Sequence, residues 1–213
     1  MKFKWWGHSC FTITTDDGVK IVTDPYGNDF PYENVTDRAE IVTVSHDHFD
    51  HNGTDSVPGD PEIVATEKGI DYQGVKIRGV SSFHDDEKGS SRGQNIIFII
   101  ESGDKTVVHL GDLGHSLNEE QKEKLTAVDI LLIPVGGHFT IDASQAYKIV
   151  EQLDPAVIFP MHYKTDKIDL PIKGITPFLE NFAPNRVKDI AQSEIEITKL
   201  PENQTVYVLN YIE

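Results

Sequence analysis

The sequence predicts a layered α/β protein in which β-sheets are covered by helices. Strand patterns outnumber helix patterns along the 213 residues. Residues 130–135 and 157–160 are wholly apolar, which is typical of strands buried inside a sheet. Each of these segments neighbours an amphipathic helix pattern. Because sheets and helices must bury their apolar faces against each other, this order predicts packed layers in one domain.

The first half of the chain has the pattern of short strands joined by turns. Apolar residues alternate at 11–14 and 19–23 on either side of an Asp-Asp-Gly turn, which predicts a hairpin. Residues 41–45 and 75–80 are rich in β-branched side chains and predict two further strands. A charged loop rich in Gly and Ser follows at 85–92. We consider two interpretations of it, a solvated loop or a mobile flap over a functional site.

The second half begins with a hairpin pattern and ends with a strand pattern. Residues 95–100 and 106–110 flank a Gly-Asp turn and predict the hairpin. After Pro184 the chain is polar until residues 206–212, which predict the last strand.

Two capping boxes predict the starts of two helices. Asn118 is followed three residues later by Gln121, and Asp142 by Gln145. Each pair can satisfy the free amides of a helix N-terminus. We expect the first helix to run to about residue 127 and the second to about residue 153, with the apolar side chains of the second on one face.

The composition excludes several classes of protein. The chain has 35 acidic and 19 basic residues, a formal net charge of −16. No nucleic-acid partner is expected, because a non-specific binder needs a basic surface to displace counterions from phosphates. The single cysteine, Cys10, cannot form an intrachain disulfide, which fits a reducing compartment. Without a signal-peptide pattern or an apolar run of about 20 residues, we expect a single cytoplasmic domain over residues 1–213, off the membrane.

The most informative segment is HDHFDH at 46–51, an H-x-H-x-D-H pattern directly after a predicted strand. His46 and His48 are two residues apart, so both imidazoles face one side of an extended chain. Asp50 and His51 fall in the turn beyond, where the backbone can direct them to a neighbouring point. The segment therefore predicts two adjacent metal positions, and the alternative is a merely solvated polar loop.

Three more candidate ligands occupy the same kind of place, since His84, Asp112 and His162 each follow a predicted strand. In layered α/β proteins ligands gather at the carboxyl ends of strands. Imidazole with carboxylate suits zinc first, and also manganese or iron. The whole set exceeds what one tetrahedral ion needs. Two divalent ions that share a carboxylate bridge, with room for a bridging water, are therefore the expected cofactors.

These motifs resemble those of the metallo-β-lactamase superfamily. The chain is most similar to its compact single-domain metal-dependent hydrolases, which include the ascorbate-6-phosphate lactonases. The resemblance covers most of the chain. Besides HDHFDH, it rests on W-x-G-H-S at 5–9, TDP at 23–25, GD at 111–112, GGHFTID at 136–142 and PMHYKT at 160–165.

The resemblance implies a four-layered αββα sandwich of two mixed β-sheets, with the site at one edge of both sheets. The implied ligands are His46, His48 and His84 for one ion, Asp50, His51 and His162 for the other, and Asp112 as the bridge. Asp24 would orient a histidine ligand through a hydrogen bond to its other ring nitrogen. For His8, in the N-terminal turn, support of the ligands and simple packing are both open.

The loops around the implied site carry the candidate substrate contacts. Many relatives have Thr after the Gly-Asp pair, whereas this chain continues Leu-Gly-His, so His115 is expected to face the substrate. His138 and Thr140 follow a buried strand at the same sheet edge. Arg92 and Lys164 are the cations best placed to reach an anionic substrate.

Three function hypotheses follow from the sequence. The first is a metal-dependent hydrolase in which a metal-bridging hydroxide, with Asp50 and Asp112, cleaves a small ester, lactone or phosphodiester. The second is a non-catalytic metal-binding or sensing domain. The third, an RNA-processing nuclease, is disfavoured by the charge of −16 and by the lack of the extra domain of such nucleases. The expected partner is a small-molecule substrate, neutral or anionic, and a homo-oligomer is compatible with the sequence.

Overall fold

Two mixed β-sheets pack into a sandwich in the computed structural model, which describes residues 1–212. This arrangement confirms the α/β sandwich expected from the sequence. The α-helices of the described residues are Glu119–Lys124 (α1), Ala143–Leu153 (α2) and Thr176–Leu179 (α3), and 3₁₀ turns occur at Thr54–Ser56 and Pro184–Arg186. The strands are Lys2–Gly7 (β1), Cys10–Thr14 (β2), Lys20–Thr23 (β3), Ile41–Thr43 (β4), Glu62–Val64 (β5), Ile70–Tyr72 (β6), Val75–Phe83 (β7), Gln94–Ser102 (β8), Lys105–His109 (β9), Ile130–Pro134 (β10), Val157–Met161 (β11), Val187–Ile190 (β12), Glu194–Glu196 (β13) and Thr205–Leu209 (β14).

The two sheets bring their parallel strands to a common edge. The six-stranded sheet has the order β13-β1-β2-β3-β4-β5, in which β3, β4 and β5 are parallel. The eight-stranded sheet has the order β12-β14-β11-β10-β9-β8-β7-β6, with β9, β10, β11, β14 and β12 parallel. The amide of Ile96 donates to Ser45 O at 2.9 Å, which joins the sheets beside the end of β4.

Alternating side chains of the six-stranded sheet fill two separate apolar clusters. Trp5 and Ile21 lie in the main core between the sheets, whereas their neighbours Trp6 and Val22 face the other way. In the described residues, the outer cluster is closed by loop side chains such as Tyr32, not by an α-helix. The α-helices of residues 1–212 therefore lie on the side of the eight-stranded sheet.

Both predicted capping boxes are present. In α2, Asp142 accepts hydrogen bonds from the amides of Ser144 and Gln145, and the Gln145 side chain accepts from the Asp142 amide. The box at Asn118 opens α1, but this helix ends at Lys124 instead of continuing to about residue 127. The cause is the turn beyond it, in which Leu125 is buried and Ala127 adopts a positive φ of 55°.

Strand β7 runs three residues beyond the predicted strand at 75–80. Its pairing with β8 continues through Ser82 and Phe83, and the buried Ser82 hydroxyl also donates to Asn95 O at 3.0 Å. His84 is consequently the first residue after the strand. Within residues 1–212, every helix is too short or too polar to cross a bilayer.

Candidate metal centre

Four strand ends bring the candidate ligands to one place. His46, His48 and His51 follow β4, His84 follows β7, Asp112 follows β9 and His162 follows β11. The imidazole centroid of His84 lies 4.8 Å from the centroid of His46 and 5.1 Å from the centroid of His48. The sheet edge thus assembles side chains from distant parts of the sequence, as the strand-end argument predicts.

Asp112 lies buried at the centre of this cluster. Its Oδ2 atom is 3.1 Å from His162 Nε2 and 3.3 Å from His51 Nε2. The same oxygen is 3.2 Å from His84 Nε2 and 4.0 Å from His46 Nε2. One carboxylate therefore faces both groups of histidines that the resemblance assigns to separate ions.

The chemistry of the cluster fits a metal. Within residues 1–212, His46 Nε2, His51 Nε2 and Asp112 Oδ1 are buried without a hydrogen-bond partner. An unpaired buried polar atom costs about 1–3 kcal/mol, so three in one cluster indicate a ligand. Nitrogen and carboxylate donors without thiolate suit zinc, manganese or iron. Sets whose ligand atoms lie within 4.8 Å of one another include His46–His48–His84 and His8–His51–His162.

Asp24 and Ser45 orient two of the imidazoles. The buried Asp24 carboxylate accepts hydrogen bonds from the Ser45 amide at 2.8 Å, the Ser45 hydroxyl at 2.6 Å and His51 Nδ1 at 3.0 Å. Because the Ser45 hydroxyl donates to Asp24, its oxygen can accept the proton of His46 Nδ1, which is 2.9 Å away. Both rings then turn Nε2 toward the cluster, which is how outer hydrogen bonds fix metal ligands.

Burial and neighbouring charges set different protonation states for these two histidines. Burial is the main cause that lowers the pKa of His46 to about 3, so this imidazole is neutral and has a free lone pair. Burial also acts to lower the pKa of His51, but Asp112 and Asp24 outweigh it and raise that pKa well above its ordinary value. In the absence of metal, His51 therefore holds a proton more firmly than an ordinary histidine.

Metal uptake near pH 7 is expected to release a proton from His51. A metal can bind Nε2 only after that proton leaves, so the affinity should rise with pH. Isothermal titration of metal-free protein with Zn²⁺ in two buffers of different ionisation enthalpy measures the proton count. An observed enthalpy that is identical in both buffers would show that His51 is already neutral.

His8 contacts the side of the cluster that contains Asp50. Its Nε2 lies 3.2 Å from Asp50 Oδ2, and its ring centroid is 4.1 Å from that of His162. His8 is fully buried, and burial is the main cause that lowers its pKa to about 4. The neutral ring can donate Nε2–H to the Asp50 carboxylate, while its Nδ1 has no hydrogen-bond partner within residues 1–212.

A glycine and an asparagine fix the turn that presents Asp112. Gly111 has a φ of +55°, and a Cβ placed there would lie 2.4 Å from Asn95 Oδ1 and 2.6 Å from Ser45 Cβ. The same Asn95 oxygen accepts from the Asp112 amide at 2.9 Å, and Asn95 Nδ2 donates to Leu110 O at 3.0 Å. The turn is therefore held by a buried side chain of the neighbouring strand.

The loop at 85–92 is organised around one carboxylate, that of Asp85. Asp85 Oδ1 accepts from the amides of Glu87 and Gly89, and Oδ2 accepts from those of Ser91 and Arg92, at 2.7–2.9 Å. Burial acts to raise the pKa of Asp85, but these four hydrogen bonds outweigh it and lower the pKa to about 2. This network therefore contributes fully to the free energy of unfolding at pH values above the ordinary pKa of an aspartate. The contribution is lost as the pH falls toward about 2.

Asp85→Asn is expected to loosen this loop. An amide keeps one oxygen and turns an N–H group toward backbone donors, so about half of the hydrogen bonds are lost. Hydrogen exchange of the amides at 87–92 should accelerate roughly tenfold or more. Asp86→Asn is the matched control, because Asp86 is exposed. Equal protection in both variants would mean that the loop is held by other contacts.

The predicted substrate contacts differ in what their polar atoms already bind. Both ring nitrogens of His115 are engaged, since Nε2 accepts from the Phe83 amide at 3.1 Å and Nδ1 donates to Ser116 O at 2.8 Å. Lys164 Nζ donates to Asp169 at 3.0 Å and to Leu170 O at 3.2 Å. For these two residues, contact with a substrate requires that existing hydrogen bonds break.

The other three candidates differ in exposure. Arg92 is partly buried, and its guanidinium carbon lies 5.4 Å from the centroid of the Phe139 ring. His138 is exposed and also packs edge-on against Phe139. Thr140 is buried, and its hydroxyl donates to Ile141 O at 3.2 Å.

Sequence reasoning missed Ser45, Asn95, Asp85 and Phe139 as parts of the site. For Ser45, its place directly before H-x-H was a usable signal. For Asp85, the signal was its place after His84 in a loop rich in Gly and Ser, which is typical of a carboxylate that caps backbone amides.

Comparisons with known proteins agree with this geometry. A family model described as a beta-lactamase superfamily domain matches residues 2–162, a range that contains every candidate metal ligand. A solved structure of a candidate zinc-dependent hydrolase of the metallo-β-lactamase superfamily, from Thermotoga maritima, is similar with a TM-score of 0.83 and 36% identity, covering 98% of this chain and 97% of the other. A UPF0173 protein of Pyrococcus furiosus is 32% identical, over 78% of this chain and 84% of its own length. A UPF0173 metal-dependent hydrolase of Thermoplasma acidophilum is 27% identical, with the same coverage.

Proposed function

This chain belongs to the metallo-β-lactamase superfamily and is a metal-dependent hydrolase, and from that premise we propose that it uses two divalent ions bridged by Asp112. The substrate we propose is a small ester, lactone or phosphodiester. Zinc is the first metal to test, because histidine nitrogen dominates the donor set. Manganese and iron are the alternatives.

The observation that carries this proposal is the position of Asp112 Oδ2. It lies within 3.1–3.3 Å of nitrogens on His162, His84 and His51, which belong to both ligand groups. With three donors on either side, a single ion at one group would leave the other group unused. Two ions that share Asp112 would use both groups.

The residues of the chain have distinct roles in this proposal. His46, His48 and His84, whose ligand atoms lie close together, would hold one ion. As the family resemblance implies, Asp50, His51 and His162 would hold the other, and Asp50 Oδ2 lies 3.9 Å from His51 Nε2. When bound, such ions make water acidic enough to react near pH 7 and polarise the oxygen of the bond to be cleaved. Buried hydrogen bonds from Asp24 and Ser45 keep the imidazoles in place, so the protein need not reorganise during the reaction.

Asp50 and His8 form a hydrogen-bonded pair beside the second ligand group. Asp50 is partly buried, and its Oδ2 lies 3.2 Å from His8 Nε2 and 3.9 Å from His51 Nε2. Burial acts to raise the pKa of Asp50, but the hydrogen bond from His8 and the nearby His51 outweigh it and lower that pKa, so the group stays an ionised carboxylate, as a metal ligand requires. The hydrogen bond from His8 keeps the carboxylate oriented toward the cluster.

The proposal is tested with metal-free protein reconstituted with Zn²⁺ or Mn²⁺. A panel of a 4-nitrophenyl ester, a γ-lactone and bis(4-nitrophenyl) phosphate represents the three bond types. We expect hydrolysis of at least one of them, abolished by chelator and restored by metal. Reconstituted protein that binds metal but hydrolyses none of the panel would favour a metal-binding or sensing domain. Salt-sensitive binding of RNA would instead favour the nuclease hypothesis.

A further inference from the structure

A groove opens beside the histidines of the first ligand group. It has a volume of about 520 Å³, which is within the range of small-molecule sites. His46 and His48 line one side, and Ala65 and Ile96 contribute apolar surface between the ends of the two sheets. The groove thus adjoins the metal centre through His46 and His48 and has room for a part of the substrate that does not react.

Arg92 is the basic side chain of this groove. Its backbone is fixed, because its amide donates to Asp85 Oδ2 at 2.7 Å. Its guanidinium lies over the ring of Phe139, an apolar partner that leaves the hydrogen-bond donors available. Within residues 1–212, no carboxylate oxygen lies within 4.0 Å of this guanidinium.

The groove also contains one acidic side chain, and the other candidate cation is paired elsewhere. Asp47 lines the groove, but its Oδ1 accepts from Asn52 Nδ2 at 2.6 Å. Lys164, the second cation expected to meet an anionic substrate, is paired with Asp169. Arg92 is therefore the cation that remains for a ligand in this groove, in a protein whose net charge of −16 repels anions at long range.

We propose that this groove binds a substrate arm that ends in an anionic group, a carboxylate or a phosphate, which pairs with Arg92. The bond to be cleaved then lies at the His46 and His48 side, and a short apolar chain crosses Ala65 and Ile96. This inference rests on the proposed hydrolytic function and adds the class of substrate. A planar guanidinium binds carboxylate or phosphate through two parallel hydrogen bonds, which a lysine cannot reproduce.

The test uses three 4-nitrophenyl esters of equal chain length. The pentanoate is neutral, the hemiglutarate ends in a carboxylate, and the 4-phosphonobutanoate ends in a phosphonate. For metal-loaded wild type we expect kcat/KM to be higher for one or both anionic esters. Arg92→Gln should lower it about 10- to 100-fold for that anionic ester and leave the neutral ester within about twofold. Arg92→Lys should restore only part of the loss.

Arg78→Gln is the control for the loss of one positive charge, since Arg78 pairs with Glu101 on the strands away from the groove. It should leave all three esters unchanged. An equal loss for neutral and anionic esters in Arg92→Gln, or no loss for either, overturns the proposal. The preferred anion, carboxylate or phosphonate, identifies which group the groove accepts.

A binding measurement separates this inference from the proposed function. The corresponding 4-nitroanilides resist hydrolysis, and calorimetry with metal-loaded protein gives their dissociation constants. Tighter binding of an anionic anilide in wild type, lost in Arg92→Gln, supports the groove even if no ester is hydrolysed. Equal affinity for the neutral and anionic anilides overturns the groove even if esters are hydrolysed.

Discussion

Asp112→Asn is expected to lose both bound metal and hydrolytic activity. The carboxylate faces nitrogens of both ligand groups, and an amide has neither the charge nor the second oxygen to bridge two cations. Loss of an outer partner of a metal ligand already costs about 10- to 100-fold. The loss for this central residue should therefore exceed about 100-fold in kcat/KM. Metal analysis of the dialysed variant and activity toward the active ester measure the two effects.

His138→Ala is the comparison variant. His138 is exposed and would supply at most a substrate contact, worth about 1–3 kcal/mol. Its activity should fall less, and its metal content should equal that of wild type. An Asp112→Asn protein that kept its metal and most of its activity would disprove the bridging assignment.

Gly111→Ala is expected to destabilise the protein and to displace Asp112. A side chain at a φ of +55° costs about 1–2 kcal/mol, and the added Cβ would lie 2.4 Å from Asn95 Oδ1. Asn95 cannot move away without losing its hydrogen bonds to Asp112 and Leu110. Together with the cost of overpacking, the free energy of unfolding should fall by about 3 kcal/mol. Urea denaturation of the metal-free protein measures this change.

Gly103→Ala separates the backbone effect from the steric effect. Gly103 has a similar φ of +61°, but nothing lies within 4 Å of a Cβ built there. This variant should lose only about 1–2 kcal/mol and keep full metal affinity. If both variants were equally destabilised, the close approach to Asn95 would not matter and the account of this turn would be wrong.

The sequence predicted the parts of this structure that depend on local patterns. The capping boxes at Asn118 and Asp142 open the two longer helices, and the hairpins lie where alternation and turn residues coincide. HDHFDH was informative because its histidines and aspartate have the spacing of metal ligands and directly follow a strand. The short edge strands β5 and β13 gave no such signal, since Glu62, Ile63 and Glu194 are exposed and their pairing depends on neighbouring strands.

Contacts between distant residues could not be derived from the sequence. Asn95 holds the Asp112 turn because β8 lies beside β9, and nothing near Asn95 in the sequence indicates this role. Arg92 and Lys164 were equivalent candidates as cations. Only the folded chain shows that Lys164 is paired with Asp169, whereas Arg92 lies in the groove.

Anomalous diffraction from crystals of the metal-reconstituted protein tests the central claim most directly, because it counts the ions and locates them relative to Asp112. The account predicts two peaks per chain, on either side of Asp112 and roughly 3.5–4 Å apart. One peak should contact His46, His48 and His84, and the other His51, His162 and Asp50. A single peak at saturating metal, or two peaks without Asp112 between them, would contradict a dinuclear centre bridged by this carboxylate.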